Sequence, residues 1–171
     1  RRSYKIYYYE TKNLTFSNNK VYALSKEVEF NENKKKFYFI KNLKIVDLSK
    51  ASFILMRQNP PFNMDYITAT YLLEKISNKT QRINDPFAVR NIPEKLYSID
   101  FLKLMPPTIF TKSIDEIEKF KNKYKKIVIK PTHGYGGKNI CFIDKNSSKG
   151  KMTKYLNKHH HVMAQKFLPQ I

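Results

Sequence analysis

Apolar and polar positions along the chain change period several times, and each change marks an element. S-Y-K-I-Y-Y-Y at residues 3–9 reads as a strand with no initiator Met before it. L-T-F (14–16) and V-Y-A (21–23) flank Asn18-Asn19-Lys20, a hairpin turn because asparagine tolerates positive φ. Residues 31–36 read as a polar, basic loop. S-F-I-L-M at 52–56 is a continuous apolar run, the pattern of a strand buried on both faces, and Pro60-Pro61 prevents its continuation.

Helical spacing takes over next. Asn63 is placed to cap a helix over 64–76 that carries Ile67, Tyr71, Leu72 and Ile76 inward. Residues 82–84 read as a brief strand, and Asp85-Pro86 as a helix start. A helix over 93–104 is expected to bury Leu96, Ile99 and Leu102, with Pro106-Pro107 ending it. A strand over 108–111 precedes a capping box, Ser113 with Glu116, and a helix presenting Ile114, Ile117, Phe120 and Tyr124 on one face. Strands over 126–130 and 139–143, a short helix over 151–157 and a strand over 162–168 complete the pattern. The joint near 91–95 divides the chain into 1–92 and 93–171.

Composition narrows the class. The 171 residues are 41% hydrophobic and 27% charged, ordinary for a globular chain. No run approaches the roughly 20 apolar residues of a membrane helix, so no membrane association is expected. A single cysteine, Cys141, excludes an internal disulfide framework and a cysteine-rich zinc site, and suits a reducing cytoplasm. It reads as a small buried hydrophobe in a strand. His159-His160-His161, a metal or tag candidate by composition, reads as a surface turn. The 24 Tyr and Phe residues mostly fall at core spacing.

The net charge of +19 raises a basic nucleic-acid-binding module as one alternative. Its make-up argues against that: 28 of the 33 basic residues are Lys, scattered singly, whereas phosphate recognition favours the bidentate fork of Arg. A solvated basic surface is the expectation, with no nucleic-acid partner.

Glycine carries the chemistry. Of four glycines, three, Gly134, Gly136 and Gly137, lie within four residues, inside I-V-I-K-P-T-H-G-Y-G-G-K-N-I-C-F-I (127–143). A Walker loop would need glycine at Thr132 and Ser or Thr at Asn139, and a dinucleotide fingerprint would need a following helix. What remains is a glycine-rich β-hairpin with Lys130 at the end of its entering strand. Such a loop either folds over a triphosphate, amides cradling oxygens and lysine neutralising charge, or serves as a structural turn.

K-P-x-x-G-x-G-G before a strand resembles the phosphate-covering loop of ATP-grasp ligases. L-M-R-Q-N-P-P-F-N-M-D-Y-I-T-A-T-Y-L-L-E (55–74), N-D-P-F-A-V-R-N-I-P-E-K-L (84–96) and A-Q-K-F-L-P-Q-I (164–171) are similar to bacterial glutathione synthetase. R-x-x-P-P-F is the specific part, since the glycine loop is shared by many ATP-grasp enzymes. The resemblance implies an α/β fold: an incomplete N-terminal (pre-ATP-grasp) substrate domain over 1–92, then the first part of an ATP-grasp domain over 93–171. It implies ATP- and Mg²⁺-dependent (or Mn²⁺-dependent) ligation of γ-glutamylcysteine to glycine through an acyl phosphate, in the cytoplasm, by a homo-oligomer when full length. Another ATP-grasp carboxylate–amine ligase is the alternative within the class.

Residue by residue, the resemblance assigns Lys95 and Lys130 to ATP, and Gly134, Tyr135, Gly136 and Gly137 to the loop over its phosphates. Gln165, Lys166, Phe167 and Leu168 match the segment along the adenine, and Arg57 an arginine on the peptide-substrate side. The chain departs from the family at His133, where some relatives carry an acid, and at Gln58 and Asn59, where many have a charge. No Asp or Glu follows Asp144, so metal ligands are expected downstream of Ile171, and none within the chain. The resemblance therefore implies an internal piece of an enzyme that does not turn over alone.

Overall fold

The computed structural model describes residues 4–31, 36–159 and 161–169. The chain divides into two compact units, Arg1–Asn91 and Ile92–Ile171. Among the described residues no helix is long and apolar enough to cross a membrane.

The first unit is built on the long strand β3. Strands β1 (Ile6–Tyr8) and β2 (Leu14–Ser17) pair antiparallel with one edge of β3 (Lys20–Asn31), and β4 (Lys36–Asp47) pairs with the other. Asn18 and Asn19, at φ 48° and 60°, make the expected hairpin turn between β2 and β3. The basic loop expected at 31–36 gives up both its ends to strands, and 32–35 lie outside the described residues. β4 itself has no counterpart in the sequence reading. It shows no buried alternation over 43–45: Leu43, Lys44 and Ile45 are all exposed, and Lys44 sends its ammonium over the Tyr7 ring at 5.9 Å.

Val21, Ala23 and Leu48 close a core with Ile54, Met56, Leu73 and Ile76. Among the described residues strand β5 (Phe53–Leu55) pairs parallel with β6 (Gln81–Ile83) and with no other strand. The expectation of burial on both faces is corrected: Ile54 is buried, but Phe53, Leu55 and Ile83 are exposed, because the two-stranded pair packs only one face. Helix α1 (Met64–Glu74) starts where Asn63 Oδ1 accepts from the Tyr66 amide at 3.0 Å. Its buried face is Ala69, Thr70 and Leu73, and Tyr71, expected inward, is exposed with the Arg90 guanidinium 3.9 Å over its ring. Arg90 lies on α2 (Pro86–Asn91), capped by Asp85 at 2.8 Å, and donates to Glu74 Oε2 at 2.7 Å and Thr70 Oγ1 at 3.0 Å. These bonds tie α2 to α1.

The second unit opens with α3 (Glu94–Tyr97) and a 3-10 helix, Ser98–Leu104. The single amphipathic helix expected here is broken, and Ile99 and Leu102 are exposed. Ser98 Oγ donates to the Lys95 carbonyl, and Phe101, at φ −118° and ψ 24°, leaves helical geometry.

The sheet of this unit runs β7 (Thr108–Thr111), β10 (Val162–Lys166), β8 (Ile127–Pro131), β9 (Cys141–Ile143), antiparallel throughout. Helices α4 (Ile114–Tyr124) and α5 (Lys149–His159) supply Ile117, Phe120, Met152 and Leu156 to a core with Ile127, Ile129, Ile143, Val162 and Ala164. Each such aliphatic contributes about 1.5–3 kcal/mol when fully buried. Ser113 caps α4, accepting from the Glu116 amide at 3.4 Å, but Glu116 accepts from Lys119 Nζ at 2.7 Å, so the structure records only the Ser113 half of the expected box. Cys141 is half-buried at the margin of the core. Among the Tyr and Phe residues whose side-chain burial is described, Phe120 alone is buried, and Tyr9, Tyr66, Tyr124 and Tyr155 pack partly buried against the cores. His159 ends α5 with its ring 4.6 Å from that of Tyr155, His161 is exposed, and His160 lies outside the described residues.

Candidate functional site

Strand alternation sends Ile127 and Ile129 into the core and therefore turns Val128 and Lys130 to the opposite face of the sheet. Register brings Met163 opposite Lys130, and Gln165 between Val128 and Thr108. Lys130 Nζ donates to Gln165 Oε1 at 2.8 Å, Gln165 Nε2 donates to Thr108 Oγ1 at 3.0 Å, and Thr108 Oγ1 donates to the Pro106 carbonyl at 2.7 Å. Burial, and then the neighbouring charge of Lys95, hold the Lys130 pKa below its ordinary 10.5.

Beyond Lys130 the chain enters the glycine loop. Thr132 anchors its start, with Oγ1 donating to the His161 carbonyl at 3.2 Å. A Cβ at Gly134 would lie 3.3 Å from Pro131 Cγ, so that turn requires close backbone approach. Gly136 and Gly137 lie at φ +58° and +68°, in open space where a side chain would meet nothing within 4 Å. Asn139, at φ 61°, closes the loop, and its carbonyl accepts from the Tyr155 hydroxyl. Tyr155 also reaches the Ile129 carbonyl at 3.3 Å, and burial raises its pKa, keeping the phenol a donor.

Lys95, in the first turn of α3, donates to the Gly134 carbonyl. The result is a cavity of about 190 Å³ lined by Lys95, Lys130, the loop from Gly134 to Lys138, and Ile140. Three lysines, Lys95, Lys130 and Lys138, and a glycine-rich backbone arch therefore line one cavity, a donor set suited to a polyanion. Of the residues lining it Glu94 is the one acid, and among the described residues no group of three or more His, Cys, Asp or Glu is positioned to hold a metal.

Residues 1–90 match the family model of the prokaryotic glutathione synthetase N-terminal domain, and residues 94–171 that of the prokaryotic glutathione synthetase ATP-grasp domain. The chain belongs to the prokaryotic glutathione synthetase family. The glutathione synthetase of Agrobacterium fabrum is 37% identical over 99% of this chain and 54% of its own length. That of Buchnera aphidicola is 42% identical over 90% of this chain and 50% of its own length. The chain thus spans about half the length of the curated relatives it matches.

Among solved structures, a D-cycloserine synthetase superposes at a TM-score of 0.56, with 19% identity over 72% of this chain and 46% of that one. D-alanyl-alanine synthetase A of Vibrio cholerae gives 0.53, with 12% identity over 91% and 48%. At these identities the likeness speaks for the fold, and the α/β, ATP-grasp architecture expected from the glycine loop is met.

In this chain of the prokaryotic glutathione synthetase family the sequence-derived residues fall in several elements. Lys95, Lys130, Gly134, Tyr135, Gly136 and Gly137 line the cavity. Gln165 does not line it but holds Lys130 from beneath. The Lys166 and Phe167 amides donate to the Pro107 and Lys126 carbonyls, at 2.9 and 3.1 Å, so the chain itself uses both. Lys126 Nζ lies 4.1 Å over the Phe167 ring, whose edge meets Phe142 at 5.9 Å, and Leu168 follows the strand's end. Arg57 belongs to the first unit, exposed directly after Met56, its amide donating to the Leu55 carbonyl at 3.1 Å. Thr108 and Tyr155 were missed. Neither carries a motif, and only strand register and helix packing bring them to the loop and its lysine.

Proposed function

We propose that this chain is the peptide-binding and ATP-binding portion of a glutathione synthetase, which ligates γ-glutamylcysteine to glycine with ATP. The observation that carries the reading is the convergence of Lys95 and Lys130 under a glycine loop, in a chain of this family. Bound ATP supplies the phosphoryl group that makes a carboxylate oxygen a leaving group. Lys130 and Lys95 neutralise phosphate charge, and the backbone amides from Gly134 to Gly137 cover the phosphates and exclude water. The open space beside Gly136 and Gly137 supports a loop that approaches a ligand by its backbone. The backbone of Gln165, Lys166, Phe167 and Leu168 lies along the base, and Arg57 serves the peptide substrate.

The described residues do not fit a metal site, so Mg²⁺ or Mn²⁺ is read as held by ATP phosphates and by carboxylates outside this chain. The domain division at 92/93, cytoplasmic location, a homo-oligomeric full-length enzyme, and the absence of nucleic-acid and membrane partners belong to the same reading. The test is phosphate release by the full-length protein with ATP, Mg²⁺, γ-glutamylcysteine and glycine. Release should require both substrates, and cysteine-free dipeptides should not replace γ-glutamylcysteine. Release only with other acid–amine pairs would make it a different carboxylate–amine ligase.

A further inference from the structure

We infer that Thr108 is a positioning residue for the phosphate site, acting on Lys130 through the side-chain amide of Gln165. The inference rests on the nucleotide-binding reading above and adds to it a residue that no motif marks.

The chain of bonds has one allowed direction. A lysine ammonium has only hydrogens to give, so the Gln165 atom facing it at 2.8 Å must be the carbonyl oxygen. The amide nitrogen then faces Thr108 Oγ1 at 3.0 Å, and that hydroxyl must accept. Its single proton goes the other way, to the Pro106 carbonyl at 2.7 Å. A flipped amide would set NH₂ against the ammonium, and oxygen against a hydroxyl whose proton is committed. Gln165 is only 9% exposed, so water cannot readily repair either mismatch.

The arrangement suits an anion site. A carboxylate beneath Lys130 would align it but cancel its charge. A neutral amide aligns it and leaves the full charge for a ligand, yet an amide has two faces and must itself be locked. Thr108, in register with Gln165 across β7 and β10, is the lock. The Lys95 charge pushes Lys130 in the same cavity, so an unlocked Lys130 has reason to swing away.

The experiment uses the full-length protein with Thr108→Val, which keeps the branched shape and removes the acceptor, and Thr108→Ser, which restores it. ATP, ADP and adenosine are titrated by calorimetry, and the KM values for ATP and γ-glutamylcysteine are compared. Thr108→Val should weaken ATP and ADP about tenfold, the effect of one hydrogen bond serving a charged group. Adenosine affinity and the KM for γ-glutamylcysteine should stay within about twofold, and Thr108→Ser should recover ATP affinity. Unchanged ATP affinity in Thr108→Val, equal loss for adenosine, or no recovery in Thr108→Ser would overturn the inference while leaving the nucleotide reading intact. A wild-type protein that binds no ATP would end both.

Discussion

The sheet of the second unit and the β5–β6 pair of the first carry similar apolar runs and bury them differently. Ile127, Val128 and Ile129 of β8 are all buried, although they alternate across the sheet. In β5 only Ile54 of Phe53, Ile54 and Leu55 is buried. β8 has a strand on each side and two helices against one face, whereas β5 has one partner strand. Neighbours decide the burial of an apolar run, and the run itself does not. The comparison also locates chemistry: the partly enclosed second face of this sheet holds a lysine with a lowered pKa, hydrogen-bonded to a buried glutamine.

The widest expected gap is in stability. Ile129→Ala should destabilise the protein by roughly 2–5 kcal/mol, the cost of a cavity in a packed core. Leu55→Ala, on the exposed face of its pair, should stay within about 0.5 kcal/mol. Urea denaturation of both variants gives the values, and equal losses would erase the distinction between the two regions.

A smaller effect belongs to the loop. Gly137→Ala meets no neighbour but forces an L-residue to φ +68°, costing roughly 1–2 kcal/mol. ATP affinity should fall by up to about tenfold, while the urea midpoint moves less than for Ile129→Ala. A midpoint shift as large as that of the core variant would make the loop a structural turn.

The smallest effect is in pH dependence. With the Lys130 pKa below 10.5 in the folded protein, the unfolded chain binds more protons between the two values. Stability should therefore rise with pH across that window, and ATP affinity should fall there as Lys130 loses its charge. Lys95→Met removes the repelling neighbour, so the alkaline fall in affinity should move upward. An unmoved profile would assign the depression to burial alone.

Local chemistry was legible wherever the chain decides it locally. The Asn18-Asn19 turn, the Asn63 and Asp85 caps, the face of α4 and the glycine hairpin all follow from short-range rules. β4 was not legible, because Leu43 and Ile45 are exposed along with Lys44, so no buried face alternates with a polar one there. The helix expected over 93–104 gave way at Ser98 to a 3-10 helix that leaves helical geometry at Phe101, despite a good hydrophobic spacing. At the site, motif residues were legible from K-P-x-x-G-x-G-G, but the Thr108–Gln165–Lys130 chain joins residues 57 and 35 positions apart. No spacing rule carries that information, since strand register alone creates it.

The central claim is that Lys130 and the glycine loop bind the phosphates of ATP. Calorimetric titration of the full-length protein and of Lys130→Ala with ATP tests it most directly. ATP affinity should fall about 10- to 100-fold in Lys130→Ala, as expected for a lost charge-assisted bond, with adenosine affinity kept. Equal ATP affinity in the two proteins would contradict the account.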